Sequence, residues 1–179
     1  MKNGLLKVDP LKLKLYDGAM SSSLQMNLDK KEPPISVQTY LEKINIDKFF
    51  ASQASKLRGK LTGSLNGDLN VTMVGPDFQK IKSSLSGKGN IAIQDGYFKL
   101  FNLTEALAGV PILGQMAPHF SLSDEFSILK TSLLIKNQKL ITPDIYLKGK
   151  HHLLTCQGEL GFDGSLNYQG IYTLSETED

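Results

Sequence analysis

The chain has 179 residues, of which 40% are hydrophobic and 21% charged, a balance ordinary for folded protein that excludes global disorder. Its 20 basic and 18 acidic residues give a net charge of +2, with no tryptophan and 8% aromatic residues. That argues against a surface for phosphates or stacked bases, so no nucleic acid partner is expected.

The length suits one substantial domain or a segment of a longer repetitive one. Met1-Lys2-Asn3-Gly4-Leu5 drops at once into strand pattern, as if a start codon preceded an excised fragment. No run approaches the roughly 20 apolar residues of a membrane-spanning helix, and no signal peptide is visible. Any membrane anchor or export signal is therefore expected in a longer parent, outside this chain.

Leu5 to Val8 and Leu11 to Tyr16 alternate around Asp9-Pro10, which marks a bulge or a sheet edge because proline cannot donate to a ladder. Leu13-Lys14-Leu15-Tyr16-Asp17-Gly18-Ala19-Met20 is a phrase that recurs as Ile91-Ala92-Ile93-Gln94-Asp95-Gly96-Tyr97-Phe98. Leu133-Leu134-Ile135-Lys136-Asn137-Gln138-Lys139-Leu140 is a degraded third copy. Apolar alternation ending on Asp-Gly is a β-hairpin signal. Ala19 to Leu28 reads as a return strand, Asp29 to Pro34 as a charged turn, and Ile35 to Asn45 as a strand with Ile35, Val37, Thr39 and Leu41 on one side.

Asp47 has the character of an N-cap for a two-turn helix carrying Phe49, Phe50, Ala54 and Leu57, with Gly59 as its stop. Leu61 to Leu65 and Gly67 to Met73 then alternate, and Asn66-Gly67 between them predicts a type I′ hairpin turn. Pro76 suits the first turn of a second short helix with Phe78, Ile81 and Leu85 on one face. Asn102-Leu103-Thr104-Glu105 is a capping-box pattern for a third.

Gly109 to Pro118 is uncharged, mostly apolar and broken by glycine and proline. It predicts either a segment closing one end of the core or an apolar flap, with Val110, Ile112, Leu113 and Met116 as the flap candidates. Phe126 to Lys136, Lys139 to Lys148, His152 to Leu160 and Ser165 to Tyr172 predict a closing meander. Its turns fall at Asn137-Gln138, Gly149-Lys150 and Asp163-Gly164. Residues 1–174 thus form a single β-rich domain and 175–179 a polar tail. Several strands are apolar on one face and polar on the other, the pattern of a sheet with one dry and one wet side.

No catalytic constellation emerges. Gly63-Ser64-Leu65-Asn66-Gly67 has the letters of a nucleophile elbow but lies in strand pattern, not before a long helix. His151 and His152 are adjacent in a strand and point to opposite faces, and His119 stands alone, so no metal site is expected. Cys156 is the only cysteine, which excludes a disulfide within the chain, and it reads as a small packing residue. Asp17, Asp29, Asp95, Asp144 and Asp163 read as turn residues. A glycan-active enzyme would instead need two acids facing each other in a cleft.

The order of these elements resembles the C-terminal region of the AsmA family. The strongest match is Leu85-Ser86-Gly87-Lys88-Gly89-Asn90-Ile91-Ala92-Ile93-Gln94-Asp95-Gly96. Leu15 to Gly18, Phe49-Phe50 and Leu61 to Leu65 precede it in the family's order, and Phe126 to Leu129 and Leu147 to Gly149 follow. Asn137-Gln138 departs from the Asp-Gly that family members often carry there. The resemblance implies an envelope protein of Gram-negative bacteria, in the periplasm and attached to the inner membrane through a segment absent from this chain. It implies kinship with bridge-like lipid transfer proteins of repeating β-groove architecture, and a role in phospholipid transport between inner and outer membrane or in outer-membrane biogenesis. It brings no catalytic residues and no cofactor.

The fold expected is mainly β (β-rich α+β): a curved, largely antiparallel sheet of about ten or more strands with hairpin repeats and two or three short helices packed on it. The function expected is non-enzymatic, with phospholipid or another acyl-chain lipid as partner. Alternation nominates Ile91, Ile93, Leu133, Ile135, Ile145 and Leu147 either as core against the three helices or as the groove lining. The alternative is a scaffolding module that binds envelope proteins, or further copies of itself, through sheet edges.

Overall fold

Apolar residues at every second position require a dry side, and the chain supplies it as one sheet. The computed structural model describes residues 4–53, 58–75, 77–98 and 125–174. Its strands are β1 (Leu5–Leu15), β2 (Gly18–Asn27), β3 (Pro34–Asn45), β4 (Ser64–Val74), β5 (Ser86–Tyr97), β6 (Glu125–Lys136), β7 (Lys139–Gly149), β8 (His152–Gly161) and β9 (Leu166–Leu174). They lie side by side in chain order, every neighbouring pair antiparallel, in a curved and open meander. Two short helices interrupt it, α1 (Ile46–Ser52) between β3 and β4 and α2 (Phe78–Ser84) between β4 and β5.

Where the chain reverses, the backbone shows why. Type I′ turns need φ > 0 at both central residues. Tyr16 (φ 50°) and Asp17 (φ 63°) meet this between β1 and β2, and Asn137 (φ 53°) and Gln138 (φ 58°) between β6 and β7. The first turn sits one residue earlier than Asp17-Gly18, because Gly18 already pairs with Leu15. That turn is docked onto α1. Lys48 Nζ lies 2.6 Å from Asp17 Oδ2, the Tyr16 hydroxyl 2.8 Å from Ser52 Oγ, and Phe49 stands edge-on to Tyr16.

Several expectations need correction. Asn66-Gly67 is not a turn, since β4 runs straight through it. The dipeptide faces a β3 irregularity between Leu41 and Ile44, where Lys43 has φ 52°. There Asn66 Oδ1 accepts the Lys43 amide at 3.0 Å, replacing a ladder bond. A Cβ on Gly67 would lie 2.6 Å from the Asn90 carbonyl oxygen. One strand therefore stands where two were expected, and the described residues hold nine.

Asp95-Gly96 is not a hairpin turn either. Asp95 (φ 50°) kinks β5, which continues to Tyr97. A Cβ on Gly96 would come within 2.2 Å of Phe126 Cζ, so this glycine makes room for an aromatic ring. Asp144 is not in a turn but inside β7. The cap of α1 is Asn45, whose side chain accepts the Lys48 amide at 3.1 Å, and not Asp47. Asp77 caps α2, and Phe78 is exposed rather than packed on the helix's inner face. Ala54, Leu57, the capping box at 102–105 and the tail lie outside the described residues.

The main buried cluster is small and sits at one end of the sheet, while Ile35, opposite Met26 and Met73, is buried apart from it towards the other end. Ile46, Ile93, Phe126 and Leu147 form the cluster, with Phe50, Leu61, Leu65, Phe98, Leu129 and Leu154 packed around. α1 caps that end through Ile46 and Phe50. α2 lies at the opposite end, where Ser84 Oγ accepts the Val74 amide at 2.9 Å. Among the described residues, no large side chain is wholly buried.

Candidate functional site

Directly opposed residues in a ladder share a face, so the register defines the surface without further assumption. One row crosses the whole sheet: Val8, Leu24, Val37, Val71, Gly87, Ile135, Leu140, Leu160 and Leu166, each opposite the next. It contains no polar side chain, and none of its members is buried. A second row, Ile44, Leu65, Ile93, Leu129, Leu147 and Leu154, runs under α1 on the same face. There Ile44, Ile93 and Leu147 are buried, at 3%, 5% and 6% exposure. The apolar face is thus a packed cluster at one end and, apart from the buried Ile35, a mostly half-open apolar floor at the other.

The opposite face is wet. One of its rows reads Lys12, Ser21, Tyr40, Asp68, Asn90 and Ser132. Polar side chains there satisfy each other across strands, as in Thr72 Oγ1 with Ser86 Oγ at 2.9 Å and Asn90 Nδ2 donating to Asp68 Oδ1 at 3.2 Å.

All six alternation candidates fall on the apolar face. Ile91 opposes Thr131, Leu133 opposes Gly89, Ile135 opposes Gly87, and Ile145 opposes Cys156. These four are half-buried, whereas Ile93 and Leu147 belong to the buried cluster. Leu24, Val37, Leu69, Val71, Leu140 and Leu160 share the half-open floor but were not among the candidates. Their alternation is visible in the sequence; their alignment with Ile135 across strands is not. The flap candidates Val110, Ile112, Leu113 and Met116 lie outside the described residues.

Asp144 lies inside β7 and not in a turn, and its position there gives it a different job. Register shifts on both sides of β7 leave the Ser132 amide without a ladder partner from β7. Asp144 Oδ1 accepts that amide at 2.6 Å and the Thr131 hydroxyl at 3.2 Å, and Oδ2 accepts the Ser132 hydroxyl at 2.8 Å. These donors, the Ser132 amide first, with the Lys130 charge adding, hold its carboxyl below the usual carboxylate range. Asp144 and Asp68 line one open cleft on the wet face.

Cys156 is half-buried against Ile145 and Gly170, and burial pushes its thiol up, away from the reactive thiolate. His152 is buried and stacks on Tyr172, with ring centroids 5.9 Å apart. Among the described residues no group of three potential ligands could hold a metal ion, and no helix is long and apolar enough to cross a membrane.

The family profile described as AsmA family matches residues 1–137, which takes in β1 to β6 and the first turn residue after them. No curated protein and no solved structure matches the chain.

Proposed function

The chain belongs to the AsmA family, and from that premise we propose that its half-open apolar floor shelters the acyl chains of phospholipid in transit between inner and outer membrane. The family's setting is envelope biogenesis and lipid transport. The observation that carries the proposal is the apolar row from Val8 to Leu166, which spans all nine strands with no buried member. Transfer of apolar surface from water stabilises by about 25 cal/mol per Å². A floor this long therefore favours an apolar guest, while the wet face keeps the other side of the sheet in water. A lipid lying along such a floor needs no enclosed cavity, because its head group remains hydrated at the sheet margin.

In this proposal the chain is non-enzymatic. The buried cluster under α1 anchors one end of the sheet, and the four half-buried candidates Ile91, Leu133, Ile135 and Ile145 meet the acyl chains. The working place is the periplasm, with attachment to the inner membrane.

Extraction of the purified protein followed by lipid mass spectrometry tests the proposal. Stoichiometric phospholipid on the native chain, lost when Leu133 and Ile135 are both changed to Asn with the fold retained, is the expected outcome. A protein that never carries lipid, even after incubation with phospholipid vesicles, would overturn it.

A further inference from the structure

The two outer strands of the sheet are built differently. Among the described residues, β1 and β9 each have a single neighbouring strand. β1 is guarded: it carries Lys7, Lys12 and Lys14, and Asp9-Pro10 falls where its register breaks between Val8 and Leu11. Lysines, a proline and a bulge are the devices that keep an edge from pairing with another chain. β9 has none of them. Its sequence, Leu-Asn-Tyr-Gln-Gly-Ile-Tyr-Thr-Leu, holds no charge and no proline, and its pairing with β8 is unbroken. Leu166 is 70% and Ile171 69% exposed.

We propose that β9 is a docking edge for a second copy of this chain, pairing β9 to β9 antiparallel about a two-fold axis. A two-fold perpendicular to the sheet carries each face onto itself, so any residue pair across the new ladder must come from the same face. Because faces alternate along the strand, the axis passes through the ladder position of one residue opposite itself. The longest overlap of Leu166–Leu174 puts that residue at Gly170, which has no side chain to clash. Tyr168 then stands opposite Tyr172 on the apolar face. Gln169 stands opposite Ile171 and Asn167 opposite Thr173 on the wet face. No like charges meet, and the apolar floor continues from one copy into the other.

Charge and closure favour this occupant over the alternatives. Two β1 edges would bring lysines together. A β9-to-β1 contact would set Pro10 into a ladder and leave a further free β9 for each copy added. Among the described strands, a β9 pair leaves only the guarded β1 edges of the two copies facing outward.

Sedimentation equilibrium across micromolar concentrations tests the proposal, using the full chain freed of detergent. The native chain should be dimeric. Gln169→Lys with Ile171→Lys places lysines directly opposite each other twice, and should weaken association roughly tenfold or more. Gln169→Glu with Ile171→Glu should do the same, and mixing the two variants should restore a dimer holding one of each. Both positions are exposed, and circular dichroism shows whether the variants fold. A native chain that stays monomeric, a lysine variant that dimerises undiminished, a mixture that forms no mixed dimer, or a series of growing oligomers would each overturn the proposal.

Discussion

Leu147 and Leu133 lie on the same face of the sheet, but their surroundings differ sharply. Leu147 is 6% exposed and packs with Ile46, Ile93 and Phe126. Leu133 is half-buried on the open floor, opposite Gly89, which offers no side chain to pack against it. Leu147→Ala removes buried methyl groups and leaves a cavity that the cluster fills only in part, a loss of roughly 3 kcal/mol. Leu133→Ala gives up about half of a leucine's burial and leaves no cavity, a loss of about 1 kcal/mol. In a chain of this size each kcal/mol shifts the thermal midpoint by about 2–4 °C, so the two variants should differ by several degrees. Urea melts with an unchanged m-value establish that both report stability. Lipid carriage should run the other way, reduced in Leu133→Ala and retained in Leu147→Ala wherever that variant stays folded. Equal losses of stability would instead mean that the floor is as tightly packed as the core.

Three further outcomes follow from particular contacts. Gly96→Ala forces a methyl into the Phe126 ring and the Thr62 carbonyl oxygen, and should destabilise by about 1–3 kcal/mol in a denaturant melt. Asn66→Ala leaves the Lys43 amide without its acceptor and should cost about 1 kcal/mol by the same assay. Asp144→Asn should cost about 1 kcal/mol near neutral pH, a charge-assisted contribution discounted for its exposure. Its sign with pH is set by a folded-state pKa below the unfolded one. The native contribution is complete above the unfolded value, near 4, and is lost as pH falls through the lower folded value, so the native chain should lose more stability there than Asp144→Asn does.

The strands, their antiparallel meander and the single apolar face are legible in the sequence, because period-two alternation states a face directly. Dipeptides with turn chemistry are less informative. Tyr16-Asp17 and Asn137-Gln138 turn the chain, Asp95-Gly96 kinks a strand, and Asn66-Gly67 lies in an unbroken one. All four tolerate special backbone geometry or close approach, and which use is made of it depends on the strand alongside. Phe126 over Gly96 and Lys43 beside Asn66 decide two of these cases, and both partners are distant in sequence. The same distance hides the role of Asp144, which completes a ladder twelve residues away. The split of the apolar face into core and floor depends on where α1 lands, and alternation alone carries no trace of it.

The central claim is that acyl chains lie on one face of the sheet and not on the other. Leu133 and Leu134 are adjacent and equally apolar, yet Leu133 opposes Gly89 on the floor while Leu134 opposes Lys88 on the wet face. A photo-crosslinking residue placed at each position in turn, in cells fed labelled phospholipid, compares the two faces with everything else held constant. Labelled lipid adducts are expected at position 133 and only background at 134. Equal adducts at both, or none at either, would contradict the claim.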